Sequence, residues 1–207
     1  MNIEIINRTM EALVNNNMAV DFVKTTQEAK EKALALISKD ASIGLGGSTT
    51  VKQIGLLDEL RNGSYNLIDA YEQGIPREES VERRRKGLLA DYFITGTNAI
   101  TENGELVNMD GFGNRVAGQI FGPNNVIIIT SVSKIVKDVH AAVERIKDVA
   151  APKNANRFGT EPPCTKNEPC DDCPPDLRLC NVLTIIMRQA VKDRIQIILV
   201  EDETLGF

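Results

Sequence analysis

Strand and helix patterns alternate along this chain, and the alternation leaves few architectures open. Residues 3–15 read as a helix, with Ile6, Met10, Leu13 and Val14 on one face. Residues 18–23 suit a short strand. TTQEAKEKALALISKD follows as a helix, with Thr26 as its expected N-cap and Ala29, Ala33, Leu36 and Ile37 on one side. SIGLG, 42–46, is a strand. Residues 49–62 form a helix, with Val51, Ile54, Leu57 and Leu60 at helical spacing and Gly63 at its end. YNLIDA is a strand. PREESVERRRKGLLA opens on Pro76, carries acids early and bases late, and so complements a helix dipole. DYFITG is again a strand, NNVIIIT a buried one, and SKIVKDVHAAVERIKDVAA an amphipathic helix. A loop rich in Pro, Asn and Cys covers about 151–180, and NVLTIIM and RIQIILVED close the chain as strands. Strands separated by helices predict a mostly parallel sheet with helices on its faces. The middle departs from this pattern. TNAITENGELVNMDGFGNRV has two short apolar pieces around Asn103-Gly104, a hairpin signal, and predicts an insertion or a mixed edge.

The 207 residues are enough to bury a core without staples. A net charge of -5 and a pI near 5.1 argue against a general nucleic-acid binder. No apolar run approaches the roughly 18 residues that span a bilayer. The N-terminal stretch lacks a basic start and an apolar core, so the chain is expected in the cytoplasm, away from membranes. A homo-oligomer stays open.

Two segments fall where ligands of open α/β sheets collect, at the carboxyl ends of strands. After SIGL come Gly46, Gly47, Ser48, Thr49 and Thr50, at the mouth of a helix. Glycines permit close backbone approach, the helix start offers free N–H groups, and the hydroxyls add donors. A phosphate or carboxylate is the natural guest; a plain turn with one capping hydroxyl is the structural alternative. The glycine spacing fits neither a dinucleotide fingerprint nor a Walker loop. After DYFIT come Gly96, Thr97 and Asn98, then a dense polar run holding Glu102, Glu105, Asn108, Asp110, Asn114 and Arg115. Glu105 and Asp110 are candidate acid or base groups. Arg115 either grips a ligand carboxylate or pairs with Asp110, and glycines at 111, 113 and 118 favour the ligand role. Solvated acids around two turns are the alternative.

Cys164, Cys170, Cys173 and Cys180 stand as C-x5-C-x2-C-x6-C. Four thiols in one loop of a reducing compartment point to zinc or an iron–sulfur cluster, as a structural pin before a redox catalyst; free thiols are the alternative. His140 is the sole histidine, which makes a Ser–His–Asp triad improbable. RRRK, 83–86, reads as a solvated helix face or as anion steering toward the site.

GLGGSTT, GTNAITENGELVNMDGFGNRVAGQIFGP, SKIVKDVHAAVERI, the cysteine loop and VEDETLGF together resemble the LUD family, the lactate-utilisation domain proteins. The resemblance runs from about residue 5 to Phe207. It implies one domain over 1–207, in the fold group of ribose-5-phosphate isomerase, glucosamine-6-phosphate deaminase and CoA transferases. That group is a three-layer α/β sandwich with a mostly parallel sheet. In it a Gly-Ser-Thr turn grips phosphate or an acyl group, a role that falls here on residues 46–50. The resemblance also implies a link to oxidation of lactate to pyruvate, beside iron–sulfur partner proteins. TENG is similar to the Glu-Asn-Gly nucleophile of some CoA transferases, with Glu102 as candidate. Two functions compete. One is an enzyme or enzyme subunit of hydroxy-acid metabolism that binds a small anionic metabolite. The other is a non-catalytic module that senses such an anion or scaffolds a redox complex. An acyl or CoA transferase is the lesser alternative.

Overall fold

The computed structural model describes residues 2–166, 170 and 173–207. Six parallel strands form the main sheet: β1 (Ala19–Val23), β2 (Ser42–Leu45), β3 (Asn66–Ile68), β4 (Tyr92–Thr95), β7 (Asn125–Ser131) and β10 (Ile195–Val200), in the order β1-β10-β7-β4-β2-β3. The two apolar runs become the central strands β7 and β10, as burial on both faces demands. Ile127 and Ile129 face one cluster with Ile198 and Val200, while Val126 and Ile128 face the opposite cluster with Ile195 and Ile197.

On the first face lie α2 (Thr26–Leu36), α3 (Thr49–Gln53) and α4 (Leu56–Asn62), which supply Ala29, Ala33, Val51, Leu56 and Leu60. On the second lie α1 (Ile3–Asn15), α5 (Arg77–Gly87), α6 (Asn114–Ile120) and a second sheet. That sheet joins β5 (Ala99–Thr101), β6 (Leu106–Asp110), β8 (Ile135–Val136) and β9 (Val182–Ile186) in the order β8-β5-β6-β9. The result is a three-layer α/β sandwich. The β5–β6 hairpin is antiparallel, as the Asn103-Gly104 pair predicts, and Gly104 takes the left-handed φ of 75°. α7 (Val139–Arg145) packs on the second sheet through Ala142 and runs through a π-helical turn (Ile146–Ala150) into α8 (Ala151–Phe158).

The structure revises five local expectations. The loop expected from about 151 to 180 begins as the helix α8, closed by Gly159 at a left-handed φ of 66°. Thr25, not Thr26, caps α2, because it forms a reciprocal capping box with Glu28. The helix expected over 49–62 breaks at Gly55, whose φ of 71° ends α3 after five residues. The helix expected over 133–151 starts only at Val139. Asp138 caps it, accepting from the Ala141 N–H at 2.9 Å, and Ile135 and Val136 pair with β5 instead. NVLTIIM does not join the main sheet. It pairs with β6, and so it closes the second sheet.

Candidate functional site

A cavity of about 870 Å³ opens at the carboxyl ends of β2, β4 and β7. The β2–α3 turn, the segment after β4, the β6–α6 loop and α8 surround it, with Arg84 of α5 and Cys180 also in its wall. Of the residues expected in the site, Gly46 to Thr50, Gly96 to Asn98, Asp110, Asn114 and Arg115 line this one cavity.

Glu105 does not. Its carboxylate accepts from Thr101 Oγ1 at 2.8 Å within the hairpin, and the cavity wall does not include it. The hairpin turn docks on α1. Asn16 donates to the carbonyls of Asn103 and Gly104, and Glu102 pairs with Arg8. Glu102 therefore lies outside the wall too, and the Asn-Gly pair serves the turn.

The glycine turn works differently from the expectation. A Cβ on Gly46 would meet Thr95 Oγ1 at 2.3 Å, and one on Gly47 would meet the Tyr71 ring at 2.6 Å. The space beside these glycines is filled by the protein's own side chains. Gly47 also needs its left-handed φ of 71°. Ser48 caps α3, accepting from the Val51 N–H at 3.3 Å. A five-residue helix has little macrodipole, so the turn's contribution rests on hydroxyls. The Oγ1 atoms of Thr49 and Thr50 are buried, line the cavity and have no hydrogen-bond partner.

The polar motif between 96 and 119 is mostly a frame. Arg115 Nη1 donates to Asn108 Oδ1 at 2.5 Å, and Nη2 donates to Asn98 Oδ1 at 3.0 Å and the Met109 carbonyl at 2.8 Å. Its Nε lies 3.3 Å from Asp110 Oδ2, a close ion pair without hydrogen-bond alignment. Asn108 also accepts from Thr97 Oγ1 and the Asn98 N–H, and donates to Gln119, which donates to the Gly96 carbonyl. These bonds weld the second sheet to the end of β4. Arg115 has its donors committed, so it is the partner of Asp110 and a strut rather than a free ligand clamp. Burial pulls its pKa down, and Asp110 pulls against that.

Cations dominate the wall: Arg84 comes from the run read for anion steering, and sequence reasoning missed Lys134 and Arg157. Arg84, from the RRRK run, lies between the Tyr71 and Phe112 rings, 5.3 and 5.4 Å from their centres, and its Nε has no hydrogen-bond partner. The rest of that run divides: Arg83 pairs with Glu72 and Glu79, and Arg85 and Lys86 are exposed. Arg157 of α8 donates to the Gly47 carbonyl at 3.2 Å, and burial lowers its pKa. Lys134 ends the turn after β7. Its side chain donates to the Thr97 carbonyl at 3.2 Å. Burial first, then the charges of Arg145 and Arg115, bring its pKa down to about 7. Tyr71 is half-buried, desolvation raises its pKa, and it accepts from Asn114 Nδ2 at 3.3 Å. Among the described residues, Arg84, Lys134 and Arg157 make no ion pair with a carboxylate. A signal existed for Lys134, since it follows a buried strand at the carboxyl end. A helix reading of 133–151 hid it.

The cysteines form no disulfide. Burial and the charges of neighbouring thiolates raise Cys164 and push Cys180 up to about 11. Among the described residues no three Cys, His, Asp or Glu side chains stand together as metal ligands. No helix among them is long and apolar enough to cross a membrane.

The family model of the LUD domain matches residues 6–200. The chain belongs to the LUD domain family. That membership relates this LUD-domain chain to lactate utilisation. A crystal structure of a DUF162 family protein from Deinococcus radiodurans is similar over 96% of this chain and 97% of that one, at 18% identity and a TM-score of 0.56. It shows the same fold. A D-ribose-5-phosphate isomerase in complex with phospho-erythronic acid aligns over 66% of this chain and 67% of its own, at 17% identity and a TM-score of 0.38, a likeness that carries no argument about the site. No curated protein matches the LUD-domain chain.

Proposed function

We propose that the cavity binds a small anionic metabolite and that the protein is an enzyme or enzyme subunit of hydroxy-acid metabolism. One observation carries the reading. Arg84, Lys134 and Arg157 reach the cavity without a carboxylate partner, in a chain whose net charge is -5. Lys134 is buried and Arg84 half-buried, while Arg157 is exposed at the rim. A cation taken from water without a counter-charge is costly, and a bound carboxylate or phosphate would offset that cost. The orphan hydroxyls of Thr49 and Thr50 would complete the guest's hydrogen bonds.

The choice between turnover and sensing rests on the acid or base. Asp110 is held by Arg115, Glu72 by Arg83, and Glu105 is away from the wall. No free carboxylate among the described residues faces the guest, which favours a sensing module unless another group supplies the chemistry. Lys134, with its pKa near 7, is such a group. Turnover of L- or D-lactate with an artificial electron acceptor tests this. Pyruvate formation that Lys134→Met abolishes supports the enzyme. Tight binding without turnover, with iron–sulfur partner proteins supplied, supports the sensor.

We further propose that the four thiols hold zinc or an iron–sulfur cluster as a structural pin. Four thiolates complete a tetrahedral site. Cys164, Cys170, Cys173 and Cys180 would each supply a sulfur.

A further inference from the structure

Anion binding needs cations at a cavity wall, and arginines, which keep their charge, would serve it. It does not need a lysine that is 4% exposed. Lys134 is held there by the short turn Val132–Lys134, which continues directly from β7. Its amine donates to the Thr97 carbonyl, a neutral acceptor. Among the described residues, the charged groups that act on it are both cations, Arg145 from α7 and Arg115 from α6. Thr50 Oγ1, from α3, shares its corner. A Cβ on Gly206 would lie 2.4 Å from that oxygen and 2.8 Å from Lys134 Nζ. So an amine and an unpartnered, 1% exposed hydroxyl both lie beside Gly206 at the cavity wall, and among the described residues no acid pairs with the amine. Desolvation and neighbouring cations are the two devices that turn a lysine into a nucleophile.

We propose that Lys134 forms an imine with the carbonyl carbon of an anionic 2-oxo acid or aldehyde acid bound in the cavity. The choice of an anionic partner rests on the anion-binding reading; the nucleophile rests on the geometry of Lys134 itself. The lone pair on Nζ attacks the carbonyl carbon, and the C=O π pair moves to oxygen. A proton passes from nitrogen to that oxygen, giving a carbinolamine. The hydroxyl takes a second proton, from solvent, and leaves as water, and the nitrogen lone pair closes the C=N bond. No oxidant or reductant is consumed. The iminium withdraws electrons from the carbon beside it and so eases breaking an adjacent C–H or C–C bond.

The test uses the whole protein with glyoxylate, pyruvate or acetaldehyde and cyanoborohydride, which reduces an imine to a stable amine. Intact mass and peptide mapping then locate the adduct. The expected result is a carboxymethyl group from glyoxylate on Lys134, formed at least tenfold faster than on any surface lysine. Its rate should be half-maximal near pH 7. Lys134→Met, checked for folding by circular dichroism, should lose that adduct. Equal labelling across all lysines, or none on Lys134, overturns the proposal, and wild-type mapping alone decides this if the variant fails to fold. Acetaldehyde separates the two readings. If it labels Lys134 as fast as glyoxylate does, the nucleophile stands and anion selectivity does not. If calorimetry shows glyoxylate binding while Lys134 stays unlabelled, the anion site stands and the nucleophile does not.

Discussion

Arg115 Nη1 donates to Asn108 Oδ1 across 2.5 Å, and this bond joins α6 to the strand β6 that precedes it. The same guanidinium bonds Asn98 and the Met109 carbonyl and pairs with Asp110. Arg115→Met should therefore strand Asp110 in a largely buried place and destabilise the fold by about 3–5 kcal/mol. Arg115→Lys keeps the charge but loses the planar fork, and should cost less. Urea unfolding checks both. Variants that unfold like the wild type but bind pyruvate poorly would return Arg115 to a ligand role.

Lys134 makes stability depend on pH in a fixed direction. The folded protein releases this proton at about 7, whereas an unfolded lysine holds it to about 10.4. Between those values the unfolded state binds more protons, so stability rises with pH, by at most about 1.4 kcal/mol per unit from this group. Lys134→Met should remove that rise, and below pH 7 it should melt higher than the wild type. Parallel stability curves from pH 7 to 10 for the two proteins would contradict the burial argument.

Gly47→Ala should destabilise the fold without any ligand present. Its backbone is left-handed, and a Cβ there strikes the Tyr71 ring at 2.6 Å. Strain of about 1–2 kcal/mol follows from the backbone alone. Thermal melting of the ligand-free protein checks this; an unchanged melting temperature would mean the ring moves freely and the turn has room for a guest.

The thiol proposal predicts near-stoichiometric zinc, or iron with sulfide, in protein purified without oxygen. Cys180 ionises only at about 11 unaided, so loading should release protons and fall as pH falls. Metal-free protein with four freely titrating thiols would end the idea.

Much of the fold was legible because its signals are local. The buried runs of β7 and β10, the Asn103-Gly104 turn and the strand–helix alternation each follow from a few neighbouring residues. What failed was long-range. Nothing near NVLTIIM tells it to pair with β6 rather than the main sheet. A polar motif such as 96–119 looks the same whether its groups face a guest or one another, and here Asn98, Asn108 and Arg115 bond one another. Arg157, 110 residues beyond the Gly47 carbonyl that it reaches, could not be placed beside it from sequence.

The cavity's unpaired cations are the centre of the account, and calorimetry tests them directly. Lactate, pyruvate and inorganic phosphate are titrated into the wild type and into Arg157→Gln at low salt. The account predicts saturable binding of at least one anion at a single site. Charge-assisted bonds of about 1.5–3 kcal/mol predict that Arg157→Gln weakens it tenfold or more at an unchanged melting temperature. No binding of any of the three anions, or equal affinity in the two proteins, would contradict it.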